Sequence, residues 1–342
     1  MTAPDSTDHR PPGWPRVVAL GGGYGLSTSL RAIKHYATTL TGVVSVADDG
    51  GSSGRLRRAF GIPAPGDLRR CLVALADDNS VWAATFEHRF TTSELEGHPV
   101  GNIVLAGLTE TLGDFTRAIE VALQMMGGTG RLLPATRDPV ALRATFRNLD
   151  PTLTAVEGEV EGEAAVGQTA GLTGLSFIPE NPLPHPDVAQ LIAEADQVVI
   201  GPGSLYTSSL AVACVPGIRD ALEATSARKI YVANLGEQHP ETSGYDVARH
   251  VLALRQHGVE VDFVVRDPDA LSLGHVAGPT VVDWPMATAS GNNSTNAALN
   301  FSGSCRRPEA VAMGQSTTVG PATCPNDNAC GSRTTKSTST PC

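Results

Sequence analysis

Lysine is almost missing from this chain: Lys34, Lys229 and Lys336 are the three among 342 residues, and the formal net charge is −10. A protein-wide positive field of the kind that draws in nucleic acid is therefore excluded. Arginine carries nearly all the positive charge, and its planar fork binds phosphate well, so an anion site is still allowed. No run of about 18 apolar residues occurs, which excludes a membrane-spanning helix. The opening MTAPDSTDHRPPGWP lacks the charged-then-apolar order of a signal peptide. Residues 1–15 are expected to form a disordered leader, and the compartment is expected to be the cytoplasm. The six cysteines follow no zinc spacing. Cys71 and Cys214 lie in apolar stretches and read as buried thiols. Cys305, Cys324, Cys330 and Cys342 all fall near the end of the chain. Two phosphate-binding patterns are missing too. G-x-x-x-x-G-K is absent, and G-x-G-x-x-G fails because Thr28 stands where its last glycine belongs.

Apolar residues make up 41 % of the sequence, enough for a full core. RVVAL (16–20) reads as a buried strand, 26–36 as a helix and GVVSVA (42–47) as a second strand. This is the rhythm of a parallel sheet with covering helices. Helical patterns follow at 67–77, 80–89, 101–112 and 114–126. From 131 to 180 the pieces RLLPAT, VALRATF and EVEGEAAVG, separated by turn residues, predict a β-rich insertion of antiparallel strands. EGEVEGE reads as a solvated strand face rather than a metal site. Helix and strand patterns then alternate: helices at 187–196, 204–213 and 244–257, strands at 197–200, 229–233, 261–265 and 280–284. The fold class is α/β.

Six stretches carry chemistry. GGGYGLS follows a strand and opens a helix. Gly22, Gly23 and Gly25 permit close backbone approach, and the N–H groups of the helix start, with Leu26 beside them, suit an anion. ADDGGSSGRLRR ends the second strand and reads as a second glycine–serine loop. Asp48 and Asp49 could hold Mg²⁺ or a sugar hydroxyl, and Ser52 and Ser53 offer hydroxyl donors. PAPGDLRR and GHPVGN give a weaker signal through Asp67, His98 and Asn102. VVIGPGSLYTSSL repeats the strand–glycine–helix pattern with Gly203, Ser204 and Tyr206. ANLGEQHPET follows the next strand and brings Asn234, Gln238, Glu241 and Thr242 to the same edge. Ligands of open α/β sheets bind beyond the carboxyl ends of the strands.

Taken in order over roughly 16–285, these stretches resemble the gluconeogenesis-factor (YvcK-like) proteins, a branch of the 2-phospho-L-lactate transferase (CofD-like) superfamily. The resemblance implies a Rossmann-like fold and a nucleotide-sugar ligand, UDP-N-acetylglucosamine, with NAD as another candidate. It implies control of cell shape and cell-wall (peptidoglycan) synthesis on gluconeogenic carbon sources, with cell-wall synthesis proteins as partners and a homodimer allowed. The implied ligand contacts are Gly22, Gly23, Gly25, Leu26, Asp48, Asp49, Ser52, Ser53, Asp67, Asn102, Gly203, Ser204, Tyr206 and Asn234, with no catalytic residue and no metal. The transferase branch offers the alternative. There a phospholactyl group moves from a nucleoside diphosphate carrier to a deazaflavin, with Mg²⁺ on Asp48 or Asp49. An NAD-dependent oxidoreductase fits less well, because the fingerprint is imperfect. The sequence departs from the family after about Met286. Residues 286–342 lose all periodicity and are expected to be disordered, as a frameshifted C-terminus would be.

Overall fold

The computed structural model describes residues 14–147 and 157–285. Most of the expected leader, the tail from 286 and its four cysteines lie outside these residues. The first unit runs β1 (Arg16–Gly21), α1 (Gly23–Ile33), β2 (Thr39–Val44), α2 (Gly51–Phe60), α3 (Gly66–Leu75), α4 (Val81–Glu87), α5 (Val100–Leu112), α6 (Phe115–Met125) and β3 (Arg131–Pro134). Next come β4 (Ala141–Arg147), β5 (Glu157–Glu161), α7 (Glu163–Gly167) and β6 (Leu172–Ile178). The chain then returns through α8 (Val188–Glu194) and β7 (Gln197–Ile200) to a π-helical segment, Leu205–Leu210, which leads into α9 (Ala211–Ala213). It closes with α10 (Pro216–Ala224), β8 (Arg228–Val232), α11 (Val247–Gln256), β9 (Phe263–Arg266) and β10 (Thr280–Asp283).

Seven strands form one sheet in the order β10-β9-β8-β7-β1-β2-β3, and every neighbouring pair is parallel. Val17, Val18, Ala19 and Leu20 of β1 are all buried, as expected of a central strand covered on both faces. Leu26, Leu30 and Ile33 of α1 pack into the same core with Leu68, Leu72 and Leu75 of α3. Cys71 and Cys214 are buried free thiols, as the sequence predicts. Among the described residues no helix is long and apolar enough to cross a membrane.

Three sequence expectations change. The EAAVG end of EVEGEAAVG, read as part of a strand, is helix α7. RLLPAT does not belong to the antiparallel insertion: β3 pairs in parallel with β2 at the edge of the main sheet. The antiparallel sheet, in the order β5-β4-β6, therefore begins at Ala141. Its acidic strand carries Glu157 and Glu161 against Arg147 and Arg143 of β4, at 2.6 and 2.9 Å, so these carboxylates are paired surface groups. The second glycine–serine stretch is not a loop: Gly51–Phe60 is helix α2. Gly and Ser are poor helix formers, but Leu56 packs on Ile62 and Ala106, and Gly61, at φ +65°, ends the helix in the left-handed region.

Candidate functional site

The order of the main sheet reverses direction between β1 and β7. From β1 the chain progresses outward through β2 to β3; from β7 it progresses the other way through β8 and β9 to β10. The crevice beyond the carboxyl ends of β1 and β7 is thus the topological switch point, where open α/β sheets bind their ligands. Two of the predicted glycine loops meet there. Any Cβ at Gly25 would collide with the Pro202 carbonyl, and the nearest Gly203 Cα would lie 2.8 Å away. Gly23 sits at φ +55°, a conformation that L side chains rarely adopt. Ser29 Oγ donates to the Gly201 carbonyl at 2.9 Å, which fastens α1 to the β7 loop. Asn234, at the end of β8, holds the same loop from the other side. Its Oδ1 accepts from Gly203 N–H at 2.8 Å and its Nδ2 donates to the Gly203 carbonyl at 2.9 Å.

The start of α1 is already occupied by an anion of the chain itself. Asp67, in the first turn of α3, accepts a hydrogen bond from Gly23 N–H. Its Oδ1 would lie 3.4 Å from a Cβ at Gly23. Arg70 Nη1 donates to Asp67 at 2.8 Å, and the Arg70 guanidinium lies 4.5 Å from the centroid of the Tyr24 ring. Burial raises the Asp67 pKa to about 6, against the pull of Arg70 and with help from the nearby Asp48 charge. Asp48 Oδ1 accepts from Gly50 N–H at 2.9 Å, and its other oxygen lies by Gly66. Asp49 turns to the insertion: its carboxylate accepts from Glu163 N–H and Ala164 N–H, both at 3.1 Å, and so caps α7. Glu163 itself is raised to about 7, first by burial and then by Asp48, while a hydrogen bond with Thr207 opposes the shift.

The sequence profile of the CofD family, described as 2-phospho-L-lactate transferase CofD, matches residues 17–277. The chain belongs to this family. Among its relatives are the gluconeogenesis factor of Halalkalibacterium halodurans, 40 % identical over 73 % of this chain and 76 % of that protein. The gluconeogenesis factor of Bacillus subtilis is 40 % identical over 71 % of this chain and 75 % of its own length. A putative gluconeogenesis factor of Nostoc is 42 % identical over 70 % of this chain, and the match spans about half, 51 %, of that longer relative. A crystal structure of a UPF0052-family protein from Bacillus halodurans superposes with a TM-score of 0.69 at 38 % identity, covering 75 % of this chain and 81 % of that one.

Within this CofD-family fold, the predicted site residues divide into three groups. Gly22, Gly23, Gly25, Asp48, Asp67, Gly203 and Asn234 gather around the switch point. Ser52 and Asn102 form a buried network with His98 instead: Ser52 Oγ lies 2.8 Å from His98 Nδ1 and accepts from Asn102 Nδ2 at 3.1 Å. Ser53 Oγ faces Gly66. Leu26 and Tyr206 have core side chains, 0 and 1 % exposed, so only their backbones can reach a ligand. The Tyr206 hydroxyl donates to the Leu172 carbonyl at 3.0 Å. Ser204 caps the π-helical segment through Thr207 N–H at 3.1 Å and donates to buried Glu241 at 2.7 Å. Glu241 in turn accepts from Tyr206 N–H at 2.8 Å and Thr207 N–H at 3.1 Å, and burial raises its pKa.

Sequence reasoning missed Glu163, Arg70 and Tyr24. Glu163 comes from the insertion, 114 residues beyond the partner it caps through, and no local pattern announces that contact. Tyr24 did leave a signal, because a bulky side chain between glycines is out of place in a loop built for close approach.

Proposed function

We propose that this chain is a cytoplasmic, non-catalytic nucleotide-sugar-binding regulator whose ligand is UDP-N-acetylglucosamine. It serves cell shape and peptidoglycan synthesis during gluconeogenic growth, acting on cell-wall synthesis proteins. The link to gluconeogenesis rests on the names borne by its relatives. The observation that carries the ligand is the crevice at the β1–β7 switch point, where two glycine loops and three carboxylates converge. Asp48, Asp67 and Glu163 are acceptors, which suits a molecule rich in sugar hydroxyls better than a bare phosphate. Near neutral pH, Glu163 takes up a proton readily, which lowers its repulsion of a diphosphate.

The transferase alternative calls for Mg²⁺ on Asp48 or Asp49. Both Asp49 oxygens are engaged by the start of α7, and the described residues contain no group of three or more His, Cys, Asp or Glu arranged to hold a metal ion. That leaves Asp48, whose Oδ1 accepts from Gly50 N–H, as the carboxylate that would hold the ion in this alternative. Isothermal titration with UDP-N-acetylglucosamine, and with UDP, NAD and GDP plus Mg²⁺ for comparison, tests the reading. Selective binding of the UDP-sugar, recovered unchanged, is expected. Binding of GDP with Mg²⁺ but not of the UDP-sugar would replace the regulator with the transferase.

A further inference from the structure

Tyr24 is the second residue of α1 and lies between Gly23 and Gly25, yet it is 60 % exposed, one of the most open large side chains of the described residues. Single exposed apolar side chains are ordinary on protein surfaces, so what marks this ring is its setting and not its exposure alone. Here it is held. The Arg70 guanidinium packs 4.5 Å from the ring centroid, and Asp67 fixes Arg70 at 2.8 Å. Asp67 is in turn bonded to Gly23, so Tyr24, Arg70, Asp67 and the glycine loop form one chain of contacts at the rim of the crevice. A cation over one ring face both orients the ring and polarises it. The rest of the ring stays open to solvent.

We infer that Tyr24 is a stacking platform for a planar heteroaromatic ring, so that it holds the base of a nucleotide ligand while the crevice takes its sugar and phosphates. The inference rests on the nucleotide reading above and deepens it. A base stacked on the open part of the Tyr24 ring would be sandwiched against the Arg70-backed aromatic without disturbing Asp67. Stacking tolerates different bases, because each has a π face. Tyr24 therefore adds affinity for nucleotides as a class, and discrimination among them falls to the crevice.

The test is titration of UDP-N-acetylglucosamine, GDP and NAD into wild type, Tyr24→Phe and Tyr24→Leu, with thermal melts to verify folding. At 60 % exposure the side chain can be exchanged without a core penalty. Whichever nucleotide the wild type binds, Tyr24→Phe should bind within about twofold of it, and Tyr24→Leu should lose roughly 5- to 150-fold, the range of one base–aromatic stack. Equal affinity in all three proteins, or rescue by Leu as good as by Phe, overturns the platform and leaves the nucleotide reading standing. If the wild type binds none of the three nucleotides, the nucleotide reading itself falls, and the platform with it.

Discussion

Glu163 holds its proton to about pH 7, whereas its ordinary value is 4.5. Between those values the folded chain binds more protons than the unfolded one, so this group's contribution to stability falls as pH rises through the window. Asp67 behaves alike between 3.8 and about 6. Buried His98, His185 and His250 oppose the trend, since burial lowers their pKa values and the unfolded chain holds their protons longer. The clean readout is the difference between variants. Glu163→Gln should gain stability over wild type from pH 5 to 7.5, by about 2 kcal/mol after allowing for partial exposure. Urea denaturation at both pH values checks this, and a gap independent of pH would refute it. Gly25→Ala forces a methyl into the Pro202 carbonyl, which is backbone and cannot swing aside. It should cost about 1–3 kcal/mol by urea denaturation; an unchanged midpoint would show that the two glycine loops do not touch.

At the scale of elements, several helix ends depend on carboxylates from elsewhere in the chain. Glu241 binds two N–H groups and the Ser204 hydroxyl at the start of the π-helical segment. Glu241→Ala leaves these donors unsatisfied and should cost about 2–4 kcal/mol, read as a fall in melting temperature of about 2–4 °C per kcal/mol. Asp49→Ala uncaps α7 at a cost of about 1 kcal/mol, and hydrogen exchange should quicken at Glu163 and Ala164 while β1 stays protected. The same long-range caps explain what could be read from the sequence. β1, α1, β7 and α11 were legible because apolar periodicity and glycine turns are local. α2 was misread as a loop because its first turn is Gly-Ser-Ser-Gly, and the packing of Leu56 on Ala106, which decides the matter, lies 50 residues away. β3 looked like the head of the insertion because a four-residue strand shows too little pattern to reveal its partner.

For the whole molecule, ligand at 100 times its Kd should stabilise the fold by about 2.7 kcal/mol. A melt series with UDP-N-acetylglucosamine measures this, and a flat series would count against binding. The place of the candidate crevice was legible because strand-end glycine loops mark the carboxyl edge of a parallel sheet. The roles of its residues were less so, since Tyr206 and Ser204 serve the scaffold beside residues that face the crevice. The carboxylates at the helix starts have one more consequence. Asp67, Asp49 and Glu241 are anions tethered to their seats, and a tethered group competes at an effective concentration that a dissolved ion cannot match. Inorganic phosphate and sulfate, however abundant in the cell, meet seats already taken. On the proposed reading, a molecule gains entry only by bringing contacts beyond its charge, which sets a nucleotide-sugar apart from the background of small anions.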